Sequence, residues 1–238
     1  MGKRIFILIV LTIGFITVCL SCSILPIRGN GNIVSSERVV SSFERISSSG
    51  SAQVRFHVSS ESRVVVTTDS NLIEFVTTTV TNNELRIGTE NGNFIFSKLF
   101  IDIYYPVIYG VSLSGSGSFN SSDKITVSAF NANISGSGSI KAIIECETFS
   151  SLISGSGHVT VSGKNESSNI TVSGSGKFNG NEFLKTNAKV IISGSGSANI
   201  NVTGDLNAAV SGSGSINYRG NPSNVVTNIS GSGRINKL

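Results

Sequence analysis

The chain has no tryptophan, one methionine and two histidines, and charged residues make up only 13% of its 238 positions. So few titratable groups leave little material for acid–base chemistry: His57 and His158 stand alone, and no nucleophile triad can be assembled around them. The Gly-Lys-Ser/Thr that opens a phosphate-binding helix is missing, and the glycine repeats lack the recurring aspartates of a calcium-binding β-roll. Neither a metal nor a cofactor is therefore expected. What the chain has in quantity is glycine, serine, asparagine, valine and isoleucine, a composition suited to many strands and turns and not to helices.

The strongest signal is a short motif, Ser-Gly-Ser-Gly, beginning at Ser114, Ser135, Ser154, Ser173, Ser193, Ser211 and Ser230. Successive copies are 21, 19, 19, 20, 18 and 19 residues apart, the signature of a repeat architecture. Around each copy apolar and polar residues alternate with the period of a strand. Aligned, the repeats give one apolar column before the marker (Leu113, Ile134, Ile153, Val172, Ile192, Val210, Ile229) and one after it (Phe119, Ile140, Val159, Phe178, Ala198, Ile216, Ile235). By parity both glycines of a marker, such as Gly174 and Gly176, are expected to face inward with the columns, and Ser173 and Ser175 to face solvent.

A repeat of about 19 residues at roughly 3.3 Å per residue makes a coil of about 60 Å circumference, enough for three short strands and three turns. The expected fold is all-β: a parallel β-helix, right-handed, whose coils stack about 4.8 Å apart. An antiparallel meander is the runner-up, but it would set equivalent strands two positions apart and leave the identical serines and glycines unmatched.

The N-terminus reads as an export signal: Lys3 and Arg4, an apolar run from Ile5 to Leu20, then Ser21-Cys22. Removing Lys3 and Arg4 takes the basic count from 18 to 16 against 14 acids, so the net charge falls from +4 to +2 and nucleic acid is not the implied partner. Cys22 after a small residue resembles a bacterial lipobox, with Cys19 where Leu, Val or Ile is usual. A lipid on Cys22 is the first reading; a plain signal peptide and an uncleaved anchor are the alternatives. Ser23 in place of aspartate favours sorting to the outer membrane, periplasmic or surface-facing. Cys146 is then a lone buried thiol, or else the partner of Cys22 in a disulfide.

Residues 1–22 are thus assigned to the signal, 23–36 to a polar tether and 37–238 to the folded domain. Strands are expected at Val39 to Ile46, Val54 to Val58, Arg63 to Thr68, Phe75 to Thr81, Glu84 to Ile87 and Leu99 to Tyr105, with a turn at Asn82-Asn83. Ser47 to Ala52 looks like a degenerate marker. Residues 37–106 are taken as an irregular β section that packs on or caps the regular coils of 107–238.

The marker series, Phe43-Glu44-Arg45-Ile46, Asn82 to Ile87, and Ile216 to Pro222 together resemble the putative auto-transporter adhesin family, head GIN domain, over roughly residues 37–238. The resemblance implies an exported bacterial β-helix protein, often a lipoprotein, with no catalytic motif to carry over. The expected function is a non-enzymatic binding or scaffold domain at the cell envelope, adhesin-like, with glycans or envelope proteins as partners. Its candidate binding face is the double serine column of Ser114, Ser116, Ser135, Ser137, Ser154, Ser156, Ser173, Ser175, Ser193, Ser195, Ser211 and Ser213. The alternative, a polysaccharide-degrading enzyme on the same fold, needs clustered acids on one face. Only Glu145 and Glu147 form a close pair there, and such a pair is more often a solvated face.

Overall fold

The computed structural model describes residues 25–238; the signal segment with Cys19 and Cys22 lies outside them. Strands dominate, and the regular elements wind into a β-solenoid of about seven turns with coils of about 19 residues. Among the described residues no helix is long and apolar enough to cross a membrane.

The regular part runs through β10 (Gly110–Gly115), β11 (Ser118–Gly136), β12 (Ser139–Gly155), β13 (His158–Gly174), β14 (Lys177–Gly194), β15 (Ser197–Val202), β16 (Asp205–Gly212), β17 (Ser215–Arg219), β18 (Asn224–Gly231) and β19 (Arg234–Lys237). Each of β11 to β14 starts just after one marker and ends inside the next, so one continuous extended segment makes a whole coil. All pairings between these coils are parallel and put marker on marker: Ser114 pairs with Ser135, Ser135 with Ser154, Ser154 with Ser173, Ser173 with Ser193, Ser193 with Ser211 and Ser211 with Ser230. Differences in repeat length are absorbed away from the marker, where the register shifts between Asn120 and Lys124, Thr160 and Ser162, and Gly180 and Leu184.

Both apolar columns line the interior. Leu113, Ile134, Ile153, Val172, Ile192 and Val210 are buried, as are Phe119, Ile140, Val159, Phe178, Ala198 and Ile216. Phenylalanines pack on one another inside the coils: Phe149 meets Phe183 edge-on at 5.1 Å and Phe178 at 6.0 Å, a geometry that adds to area burial. The columns run out only at the last coil, where Ile229 is 47% exposed.

The N-terminal section comprises β1 (Ile27–Arg28), β2 (Ile33–Arg38), β3 (Arg45–Gly50), β4 (Gln53–Val58), β5 (Arg63–Asp69), a 3-10 turn at Ile73–Phe75, β6 (Val76–Thr81), β7 (Glu84–Thr89), β8 (Phe94–Ile95) and β9 (Leu99–Tyr105). Two expectations are corrected here. Of the expected tether, residues 27–28 and 33–36 are not free but lie in strands, because β1 pairs with β8 and β2 with β5. Nor does residue 106 separate an irregular section from a regular one. Strands β3 and β4 form a proper coil that stacks on β10 and β11 and sets Ser49 under Ser114. The coil of β7 and β9 lies on the other side of it. The chain thus lays its second coil first, goes back to build the first, and then continues.

Antiparallel strands close that end. β6 returns along β7 through Asn82 and Asn83, both at positive φ (52° and 59°), the conformation of a tight two-residue hairpin. β5 runs antiparallel to β9 and carries β2 on its outer side. At the end of β5 the buried Asp69 accepts N–H bonds from Gly31 and Ser97, each 2.8 Å, which fastens the first residues to the cap. Burial alone would push the Asp69 carboxyl up, but the bonds from Gly31 and Ser97 outweigh it and hold the group below its ordinary range.

Candidate functional site

The marker is a corner, and its two glycines do different things. The first, from Gly115 to Gly231, holds φ between 111° and 124°, and the chain bends at the serine that follows. A side chain there would be strained by the dihedral and would strike the coil below, since a Cβ on Gly174 would lie 2.7 Å from the Gly155 carbonyl oxygen. The second glycine is the core position: Gly117, Gly138, Gly157, Gly176, Gly196 and Gly214 are buried. The inward assignment of Gly174 is therefore corrected. It is an exposed corner residue, and only Gly176 faces the interior, with a Cβ placed 2.5 Å from Ile153.

The serines follow from this corner. Ser114, Ser135, Ser154, Ser193 and Ser211 are exposed and Ser173 half-buried, while Ser116, Ser137, Ser156, Ser175, Ser195 and Ser213 are all exposed. Backbone N–H groups at the bend are used along the axis: Ser137 donates to the Gly115 carbonyl and Ser156 to the Gly136 carbonyl, each at 2.9 Å. The twelve hydroxyls point away from these bonds, and none takes part in a side-chain hydrogen bond among the described residues. Because they straddle a bend, they form a ridge down one edge of the column and not a flat face. Immediately past the ridge the position after the second glycine holds Ser118, Ser139, His158, Lys177, Ser197, Ser215 and Arg234.

A second surface feature was not read from the sequence. On the outer face of β4, β5 and β9, Phe100 carries the Arg55 guanidinium at 4.4 Å and the Lys98 amine at 4.9 Å. Tyr104 carries Arg63 at 4.4 Å and stacks on His57 at 4.6 Å. Asp102 sits between these groups, accepting from Arg55 and lying 3.5 Å from His57 Nε2. Cation–π contacts at an exposed surface, with Asp102 beside them, orient these cations modestly. The alternation that buries Leu99, Ile101 and Ile103 puts Phe100, Asp102 and Tyr104 outward, so a signal existed. Their partners come from strands far away in sequence.

Glu145 and Glu147 do share one side, flanking the inward Cys146, on a groove of about 470 Å³. Glu145 is clasped by Lys164 at 2.8 Å and Lys124 at 2.9 Å. Hydrogen bonds from Lys164 first, then Lys124, hold its carboxyl below the ordinary range. That is an anion fixed in an ion ladder, the opposite of the raised carboxyl that a general acid requires. Among the described residues Cys146 is a free, buried thiol, pushed up to about 11 by burial with Glu147 adding to it, which makes it a poor nucleophile. Lys185, two coils on from Cys146 with Asn165 between them, is wholly buried; its amine donates to the Phe183 carbonyl at 3.0 Å, and burial pulls it down to about 7. Among the described residues no group of His, Cys, Asp and Glu is placed to hold a metal ion.

A sequence-family model described as putative auto-transporter adhesin, head GIN domain, matches residues 42–222. No curated protein matches the sequence. Among solved structures, one from Parabacteroides distasonis described as a putative lipid binding protein is 27% identical, with TM-score 0.75 over 90% of this chain and 99% of that one. A putative adhesin from Bacteroides fragilis superposes at TM-score 0.85 with 21% identity over 89% of this chain and all of the other. One from Parabacteroides merdae gives 0.72 and 21% over 89% and 98%. The last two likenesses concern the fold alone.

Proposed function

The chain belongs to the head GIN domain family, and on that premise we propose that it is a non-enzymatic binding module, exported and held at the cell envelope by a lipid on Cys22. The observation that carries the reading is the ridge: twelve hydroxyls in register down one edge of a rigid column. Such a surface suits a ligand that repeats, because many weak hydroxyl contacts add along a polymer where each alone is negligible. Glycans and the repetitive polymers of the envelope are the matching class. An adhesin family fits an exported or surface protein. The clasped state of Glu145 speaks against the alternative of a polysaccharide-degrading enzyme.

The experiment is a binding screen of the full-length protein against glycans and envelope fractions. Saturable binding is expected, weakened when Ser135, Ser154, Ser173 and Ser193 are replaced together by Ala and unchanged in Glu145→Gln/Glu147→Gln. Glycan cleavage that disappears in the carboxylate double variant, with the fold intact, would replace the binding module by the enzyme. The address is tested separately: Cys22→Ser should release the protein from membranes, and a variant that stays bound with its apolar run intact would mean an uncleaved anchor.

A further inference from the structure

The two ends of the column are not alike. At the first coil, β2, β5 and β6 cover the sheet edges with antiparallel strands. At the last, β18 pairs only with β16 and β19 only with β17, and nothing among the described residues lies beyond them. In consequence Val225 and Ile229 are 39% and 47% exposed, whereas Leu206 and Val210, one coil below them in register, are buried.

An open strand edge is a template for another strand, and proteins normally guard it with charge, proline or a bulge. β18, Asn-Val-Val-Thr-Asn-Ile-Ser-Gly, carries no charge and no proline over eight residues. The guarding residues Arg234 and Lys237 stand on β19, the next side of the coil. The edge of β18 therefore has the composition of a paired strand without a partner.

Its pattern selects the partner. Register with Leu206, Ala208 and Val210 makes Val225, Thr227 and Ile229 the inward residues of β18. These three are nearly palindromic about Thr227. In an antiparallel pair directly opposed residues share a face, so a two-fold axis through Thr227 sets Val225 of one copy against Ile229 of the other and joins the two interiors. A self-complementary patch of this kind is what an isologous contact needs, and because a two-fold contact uses the β18 edge of both copies, the assembly closes at two. We propose that the open end is a homodimer interface: two copies of this chain meet tail to tail, antiparallel through β18, with Thr227 on the axis.

Thr227→Cys in the full-length protein, oxidised in its own membranes so that the two opposed inward thiols join as a disulfide across the axis, tests this. The expected product is a single covalent dimer at twice the mass of the mature chain and nothing larger. Ser175→Cys, on the ridge in mid-column, is expected to stay monomeric. Adding Ile229→Lys to Thr227→Cys should abolish the dimer, and because Ile229 is half-exposed its denaturation midpoint serves as the check that the column is still folded. Sedimentation of the detergent-solubilised wild type should give a dimer, and of Ile229→Lys a monomer. A monomeric wild type, equal cross-linking at Ser175→Cys, a ladder of higher multimers, or an adduct whose mass requires a different protein would each overturn the proposal.

Discussion

One marker sequence contains two glycines two residues apart, and one column contains two ends a few coils apart; the members of each pair differ in structure. Gly174 is exposed and set at φ 111°, whereas Gly176 is buried and conformationally ordinary. The first coil is covered by strands that run against the grain of the solenoid, and the last is left as an edge. What differs in each case is the partner. A repeat dictates what the chain offers at each position, but whether a position ends up as corner, core, cap or edge depends on what the neighbouring coil supplies.

The contrast between core and corner gives the largest expected effect. Gly176→Val puts a branched side chain against Ile153 at 2.5 Å and the Gly157 carbonyl at 3.0 Å, inside a coil with no slack. Overpacking alone costs about 1–3 kcal/mol, and here both neighbours are fixed, so a loss of roughly 3 kcal/mol or failure to fold is expected in urea denaturation. A loss below about 0.5 kcal/mol, the size of an ordinary surface change, would mean that the second glycine is not inward.

Lys185 sharpens the contrast between the regular column and an ideal one. Its folded value near 7 lies below the ordinary 10.5, so the unfolded chain binds the extra proton between those limits. Stability should rise with pH across that window, and the full penalty should be present below about pH 7. Lys185→Met removes the buried amine while keeping its volume. It should stabilise the protein at neutral pH by about 1–4 kcal/mol, the range seen when buried charge is replaced by packed apolar groups, and flatten the slope. An unchanged slope would show that Lys185 is solvated in the folded state.

The cap responds in the opposite direction to acid. Asp69 is held below its ordinary range by the N–H groups of Gly31 and Ser97, so its contribution is complete at neutral pH and fades as pH falls through the carboxylate range. Asp69→Ala should cost about 1–3 kcal/mol for the two orphaned donors and remove that part of the acid sensitivity. Hydrogen exchange should localise the change to residues near Gly31 and Ser97, with the marker corners still protected. If the corners lose protection equally, cap and column are one cooperative unit.

Much of this was legible in the residues. Seven markers at one period imposed the solenoid, the apolar columns named the core, Asn82-Asn83 gave the turn of the hairpin, and Ser47 to Ala52 read as a worn marker, which the fold sets under Ser114. The order of the coils was not legible. Nothing local to β3 and β4 says that they lie between β7–β9 and β10–β11, because that choice is made by long-range pairing. The role of Gly174 was hidden for a different reason: a glycine in an alternating stretch satisfies strand parity and a positive-φ corner equally well, having no side chain to betray a direction. The cations gathered on Phe100 and Tyr104 were invisible because Arg55, Arg63 and Asp102 sit on three strands that meet only in the fold.

The most direct test of the corner is the pair Gly174→Ala and Ser175→Ala, one residue apart and each a minimal change. At Gly174 the added methyl meets both a φ of 111° and the Gly155 carbonyl at 2.7 Å, so a loss of about 1–3 kcal/mol is expected from the dihedral alone, with the contact adding to it. At Ser175, exposed and bonded only through its backbone N–H, the denaturation midpoint should move by less than about 0.5 kcal/mol. Equal losses at the two positions, or the larger loss at Ser175, would contradict the corner and with it the register of the whole column.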